Sequence, residues 1–278
     1  MKKIRYILGI IGLACMLNLT GCIKKEDTGG DKKEPEEIVI IEDVVTGPHF
    51  SETVDLMTLI ARMAGTAGFT ECYVSSISKS ADSYFEPYAN HQAVQLMKSY
   101  KSSGISYDAV TAYGNLLCLT DKGNLVFNPK YQEHSSLSFD RWSEKQKKDM
   151  LEAVNDFYKT SNFHRWFNNV KSLQDKAIRS FTSVCNLDYK WFDSFYGKND
   201  KIASRIILCF FMGGNSQGIS YTKNDGTFFL TPTMGAFGEE NGNIYFFGGI
   251  NTIVHEFSHP YCNPLVDKNW SFISFTAD

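Results

Sequence analysis

The hydrophobic positions change period near residue 200. Upstream they recur at three and four residues, the spacing of one face of a helix. Val54, Leu56, Met57, Leu59, Ile60 and Met63 predict a first helix capped by Ser51 and stopped by Gly65 and Gly68. Ile77, Ala81, Tyr84, Phe85 and Tyr88 predict a second, with Pro87 near its end. Asn90 is placed to cap a third over Ala93, Val94, Met97 and Tyr100, and Ser106 or Asp108 to start a fourth over Val110, Tyr113 and Leu117. Asp121 to Asn124 reads as a turn between two short apolar runs. Ser143-Glu-Lys-Gln146 has the form of a capping box, with Met150, Leu151, Val154, Phe157 and Tyr158 on the apolar face behind it. Ser161 is expected to open one further long helix through Phe163, Trp166, Phe167, Val170, Leu173, Ala177, Ile178 and Phe181. Aromatic stripes at this spacing are core.

Downstream the pattern is that of strands. Arg205 to Met212 is a continuous apolar run, as a central strand would be. Ile219–Thr222 and Thr227–Leu230 flank Lys223-Asn-Asp-Gly226, a hairpin signal, and Pro232 is expected to end the second arm. Residues 235–243, glycine-rich and carrying Glu239 and Glu240, read as a mobile loop before the short run Ile244–Phe247. Near the start, Ile38–Ile41 with Val44 and Val45 predicts a strand that Gly47-Pro48 ends. The expectation is an α+β fold: a helical half over residues 48–200, then a small, mostly antiparallel sheet leading into a last helix within 201–278.

That last helix carries the chemistry. Asn251-Thr-Ile-Val-His255-Glu256-Phe-Ser-His259 contains H-E-x-x-H. Positions four apart share one helical face, so His255 and His259 can hold a single Zn²⁺. Glu256 can then reach a water at that ion and act as general base. By composition such a match arises in roughly one chain in a hundred of this length. The plain alternative is a helix end whose histidines cap carbonyls or face solvent. Strand, Gly248-Gly249 turn and helix capped by Asn251 or Thr252 is a layout used by zinc peptidases. Pro260 is expected to stop or kink the helix at its second ligand, and Pro264 to prevent its resumption. Cys262, three residues beyond His259, is a weak ligand candidate for the same reason. His49 and His91, each expected to begin a helix, read as local hydrogen-bonding residues.

The first residues predict export. Lys2, Lys3 and Arg5 precede an apolar stretch, Tyr6–Leu19, too short to span a bilayer comfortably. It ends in Leu19-Thr-Gly-Cys22, which resembles a bacterial lipobox; the resemblance implies cleavage before Cys22 and lipidation of that residue. Residues 1–21 are thus read as a signal peptide, and 22–37, nearly all charged or turn-forming, as a flexible tether. The implied partner is a membrane, through the lipid at Cys22, and the implied location is the cell envelope as an outer-membrane lipoprotein. Residues 38–278 remain for one domain. Its composition, 43% hydrophobic and 14% aromatic, suits a sizeable core. A net charge of −3 favours no particular partner, and no basic cluster suggests nucleic acid, so none is expected as a partner. Cys72, Cys118, Cys185, Cys209 and Cys262 show no disulfide framework and read mostly as small buried hydrophobes.

The stretch His255–Asp267, with Asn90–Val94 and Gly104–Val110, resembles the DUF4932 family of bacterial secreted proteins, over roughly residues 48–278. The resemblance implies a zincin-like fold of the gluzincin kind with metallopeptidase chemistry, His255 and His259 as zinc ligands and Glu256 as general base; it adds no substrate, and the peptide or protein acted on stays unknown. It also implies a third ligand, a Glu on a later helix, yet no Glu follows Glu256. Only Asp267 and Asp278 supply carboxylates downstream, so the third metal ligand stays unknown. The apolar run Trp270–Phe275 so near the end leads to the expectation that the rest of the domain, third ligand included, is absent from this chain. Tyr245 and Tyr261 are available as oxyanion donors, unranked. Two other functions stay open. One is a truncated or degenerate zincin without activity, acting as a binding protein. The other is a glycan or peptide binder using the aromatic-rich helical half.

Overall fold

The structure, a computed structural model, describes residues 3–6, 38–41, 47–134, 136–185, 189–198, 200–246 and 249–270. The expected Cys22 site, the tether, Val44 and Val45 lie outside them. The fold is α+β, as the change of period predicts.

Strand β1 (Lys3–Tyr6) pairs antiparallel with β2 (Ile38–Ile41), which differs from the expectation that residues 1–21 stand apart from the fold; cleavage before Cys22 would remove β1 and leave β2 without this partner. β3 (His49–Phe50) follows, then α1 (Glu52–Met63), α2 (Ser75–Phe85), α3 (Gln92–Tyr100) and α4 (Asp108–Leu116). β4 (Leu117–Leu119) and β5 (Leu125–Phe127) form the hairpin expected around Asp121–Asn124. α5 (Glu144–Thr160), α6 (Phe163–Asn169), α7 (Lys171–Val184) and α8 (Tyr189–Tyr196) complete the helical half. The main sheet adds β6 (Ile202–Ser204), β7 (Ile207–Cys209), β8 (Ser216–Thr222), β9 (Phe228–Glu240) and β10 (Asn243–Phe246), and α9 (Gly249–Lys268) comes last.

The capping box at Ser143 is formed in full. His91, not Asn90, caps α3: its Nδ1 accepts from the Ala93 amide at 3.2 Å, leaving Nε2 for Asp156 Oδ2 at 3.0 Å. His49 begins β3 rather than a helix. Ser161 closes α5 instead of opening a helix. Its hydroxyl donates back to the Phe157 carbonyl, and Asn162 at φ 51° turns the chain left-handed. The expected single helix beyond is split at Val170 into α6 and α7.

α1 is buried on every side from Val54 to Ala61, so it is a central helix, not a surface one. α4 crosses it at Gly114, where a Cβ would lie 2.9 Å from Val54 Cα. Phe85, Phe157, Phe163 and Trp166 stack beside it. Each such ring removed from water contributes on the order of 2–3 kcal/mol.

The sheet is mixed, which corrects the mostly antiparallel expectation. β9 is its axis. It pairs in parallel with β6 and β7, and β7 in parallel with β3; it pairs antiparallel with β8 and β10. Parallel pairing follows because the helical half lies between β3 and β7 in sequence and supplies the crossover. β9 also runs straight through Pro232. The Phe228 amide donates to Lys201 O, so even-numbered residues of β9 aim their backbone at the β6–β7 edge. Pro232 falls in the gap there, between the pairing of β6 with 228–230 and of β7 with 233–235, where no N–H is needed. Nor are residues 235–243 a loop. β9 continues to Glu240 and returns through Asn241 and Gly242, both at positive φ, the turn that suits a two-residue hairpin.

α9 is unbroken through Pro260 and Pro264. Each proline deletes one ladder bond, and at a spacing of four both losses fall on one face. Phe257 and Tyr261, on either side of Pro260, are held by Phe192 of α8, and Tyr261 also stacks on Tyr196 at 4.7 Å. That packing keeps the helix in register across the break.

Candidate metal centre

β8 divides the molecule locally into two faces. Gln217, Ile219 and Tyr221 point to α4: Thr111 Oγ1 donates to Gln217 Oε1, and Ile219 and Tyr221 pack with Ala112 and Leu116. Gly218 must therefore point the other way. There it meets α9. A Cβ built on Gly218 would lie 1.8 Å from Glu256 Oε2, so the carboxylate rests directly on the strand's backbone.

On α9, Ile253 and Phe257 are buried and hold the helix to the core. At 100° per residue, Glu256 falls between this row and the pair His255 and His259. The imidazoles stand edge to face, with Nε2 of one 3.1 Å from Nε2 of the other. Glu256 Oε2 is 4.0 Å from His259 Nε2. Ligand atoms of all three lie within 4.8 Å of one another. The Glu256 side chain is 13% exposed and that of His259 42%, so the group opens to solvent on the histidine side while the acid is sheltered. Burial pushes the Glu256 carboxyl above its ordinary range, and the two imidazoles pull it part of the way back.

This donor set fits zinc. Two nitrogens bound to one tetrahedral ion at about 2.0–2.1 Å stand roughly 3.3 Å apart, close to the spacing of the imidazole pair. His255 and His259 are the residues that would hold it. Among the described residues no other His, Cys, Asp or Glu joins the group. Cys262 Sγ lies 3.6 Å from Tyr196 Oη instead. The side chain of Asp267, and Asp278, lie outside the described residues. Of the oxyanion candidates, Tyr245 Oη donates to Glu240, and Tyr261 is stacked into the α8 aromatic cluster.

The remaining histidines serve elsewhere. His49 Nδ1 is 3.2 Å from Gly47 O, His134 Nδ1 is 3.1 Å from Asp140, and His164 Nδ1 is 2.9 Å from Glu52. The five cysteines among the described residues are free thiols, and Cys118, Cys185 and Cys209 are buried. Gly218 is the site residue that the hydrophobic pattern does not reveal. The available signal is a lone glycine inside a strand, which marks a close backbone approach. Searches against protein-family models, curated proteins and solved structures find no match to this chain.

Proposed function

We propose that the chain is a zinc-dependent, metallopeptidase-like hydrolase of the cell envelope, tethered by lipid at Cys22. The observation that carries this is the seating of Glu256: a sheltered carboxylate pressed onto Gly218, beside two imidazoles whose Nε2 atoms face each other at 3.1 Å. The sequence resemblance of residues 48–278 to the DUF4932 family supports the same reading, and so does the contact of β8 with the helix that carries His255 and His259.

Zinc, when bound, supplies Lewis acidity to the scissile carbonyl and makes water a competent nucleophile near neutral pH. The chain's own residues do the rest. His255 and His259 hold the ion. Glu256, raised by burial, takes a proton from the attacking water and returns it to the leaving amine nitrogen. Gly218 keeps that carboxylate in place by leaving it room. Over residues 216–220, β8 pairs only with β9 among the described residues, and its other edge is free to add an extended peptide as a further strand.

A second reading rests on the ligand count. With two imidazoles gathered and no third ligand among the described residues, the fold also suits a zincin that binds a peptide or protein without cleaving it. One experiment separates the two. Metal content of the purified chain is measured by mass spectrometry, and hydrolysis of a peptide library is compared for wild type and Glu256→Gln. Stoichiometric zinc with cleavage lost in the variant supports the hydrolase. Cleavage unchanged by the variant, or none in either protein, removes it.

A further inference from the structure

On the α4 side of the sheet, away from Glu256, lies a cavity of about 330 Å³ between Leu116 of α4, Phe127 of β5, residues 128–134 with Ser136 and Phe139, and the first two turns of α5. That is at the small end of small-molecule sites. Its walls are Leu116, Phe127, Phe139 and Leu151, with Tyr131 at one side stacked on Tyr221 of β8 at 4.1 Å. Most of the rim charges are already matched. Lys147, almost wholly buried, bonds Glu144 Oε1 at 2.7 Å and lies 4.4 Å over the Phe139 ring. Asp140 is taken by His134 Nδ1 at 3.1 Å and faces Lys147 at 3.9 Å. Glu133 also lines the rim, 85% exposed, with its Oε1 3.8 Å from His134 Nε2. Lys148 is different: it lines the rim, and no ion pair or hydrogen bond ties it down among the described residues. His134 lines the cavity at φ 56°, a left-handed backbone that costs a residue with a Cβ on the order of 1 kcal/mol, held by its bond to Asp140.

The geometry points to a second ligand site: this cavity binds a small amphipathic monoanion, its apolar body on Leu116, Phe127, Phe139 and Leu151 and its carboxylate on Lys148. The body gains because the walls are apolar and preformed. The head is selected by sign: Lys148 is the rim cation without an ion pair among the described residues, while Glu144 is matched by Lys147 at 2.7 Å and Glu133 faces His134 Nε2 at 3.8 Å. The site asks nothing of the metal pair, which lies across the sheet.

The test is calorimetric titration of the chain, in detergent-free buffer, with octanoate, octan-1-ol and octylammonium, which share a body and differ in charge. Octanoate is expected to bind one-to-one and at least about tenfold tighter than octylammonium, with octanol between. Lys148→Glu, an exposed change, should weaken octanoate by about tenfold and abolish its preference over octanol. Leu151→Trp, which fills the cavity, should remove all three. Octylammonium binding tightest, affinities blind to Lys148→Glu, or no saturable binding of octanoate would each overturn the proposal. Because the Lys148 variant leaves the core untouched, the test stands even if Leu151→Trp fails to fold.

Discussion

Gly218 and Glu256 are in contact across the join of β8 and α9, with no room for a single carbon between them. The strand's missing side chain is what lets the carboxylate lie sheltered against the sheet beside the imidazoles. A methyl group at 218 would have to push Glu256 aside. Because the atom it meets is the far end of a flexible side chain, the protein should yield there at little cost. Gly218→Ala is therefore expected to fold with its unfolding midpoint shifted by only a few degrees. It should keep its metal and lose hydrolysis by about a hundredfold or more, the usual worth of a positioned general base. Thermal unfolding, metal content and peptide cleavage of the one variant check all three.

Glu256→Gln separates binding from chemistry. The amide keeps the size of the side chain and cannot accept the proton. Cleavage should fall by roughly 10²- to 10⁴-fold, with zinc content unchanged, because the ligands are His255 and His259. Loss of metal along with activity would make Glu256 a ligand rather than a base.

Asp55 makes stability depend on pH. It is fully buried on α1, where burial raises its pKa to about 8 against the opposing pull of a hydrogen bond with the Cys209 thiol. The folded state then keeps a proton that the unfolded chain releases above about pH 4. Stability from this group is full below that value and is lost as pH rises to about 8, by on the order of 5 kcal/mol. Denaturant titrations between these limits should show wild type weakening and Asp55→Asn holding nearly level.

The crossing of α1 and α4 makes a steric prediction of the opposite kind. A Cβ at Gly114 would meet backbone, 2.9 Å from Val54 Cα and 3.0 Å from Thr53 O. Backbone cannot swing away, so Gly114→Ala should destabilise by about 1–3 kcal/mol. Denaturant melts would show a lower midpoint at unchanged slope.

Local chemistry was legible in the sequence wherever one rule acted alone. The box at Ser143, the turn at 223–226 and the apolar faces of α3 and α5 stand as the pattern predicts. The expectations that failed were those in which a residue's usual preference was overruled from a distance. Pro232 ends most strands, but here it faces a gap left by two other strands. Pro260 ends most helices, but here Phe192 and Tyr196 hold the far side in line. Ser161 caps helix starts well, yet its hydroxyl found the Phe157 carbonyl first. In the site, the motif placed His255, Glu256 and His259 on one helix. What it could not supply was the strand that Glu256 rests on, because that contact joins residues 218 and 256 and leaves no mark in either local pattern.

Zinc stoichiometry of the purified chain, measured by inductively coupled plasma mass spectrometry for wild type, His255→Ala and His259→Ala, decides whether the imidazole pair holds a metal. If His255 and His259 hold the ion, wild type carries about one zinc per chain and either variant near none, since one imidazole cannot hold it. Wild type without zinc after equilibration with the metal, or zinc retained in both variants, would contradict that assignment.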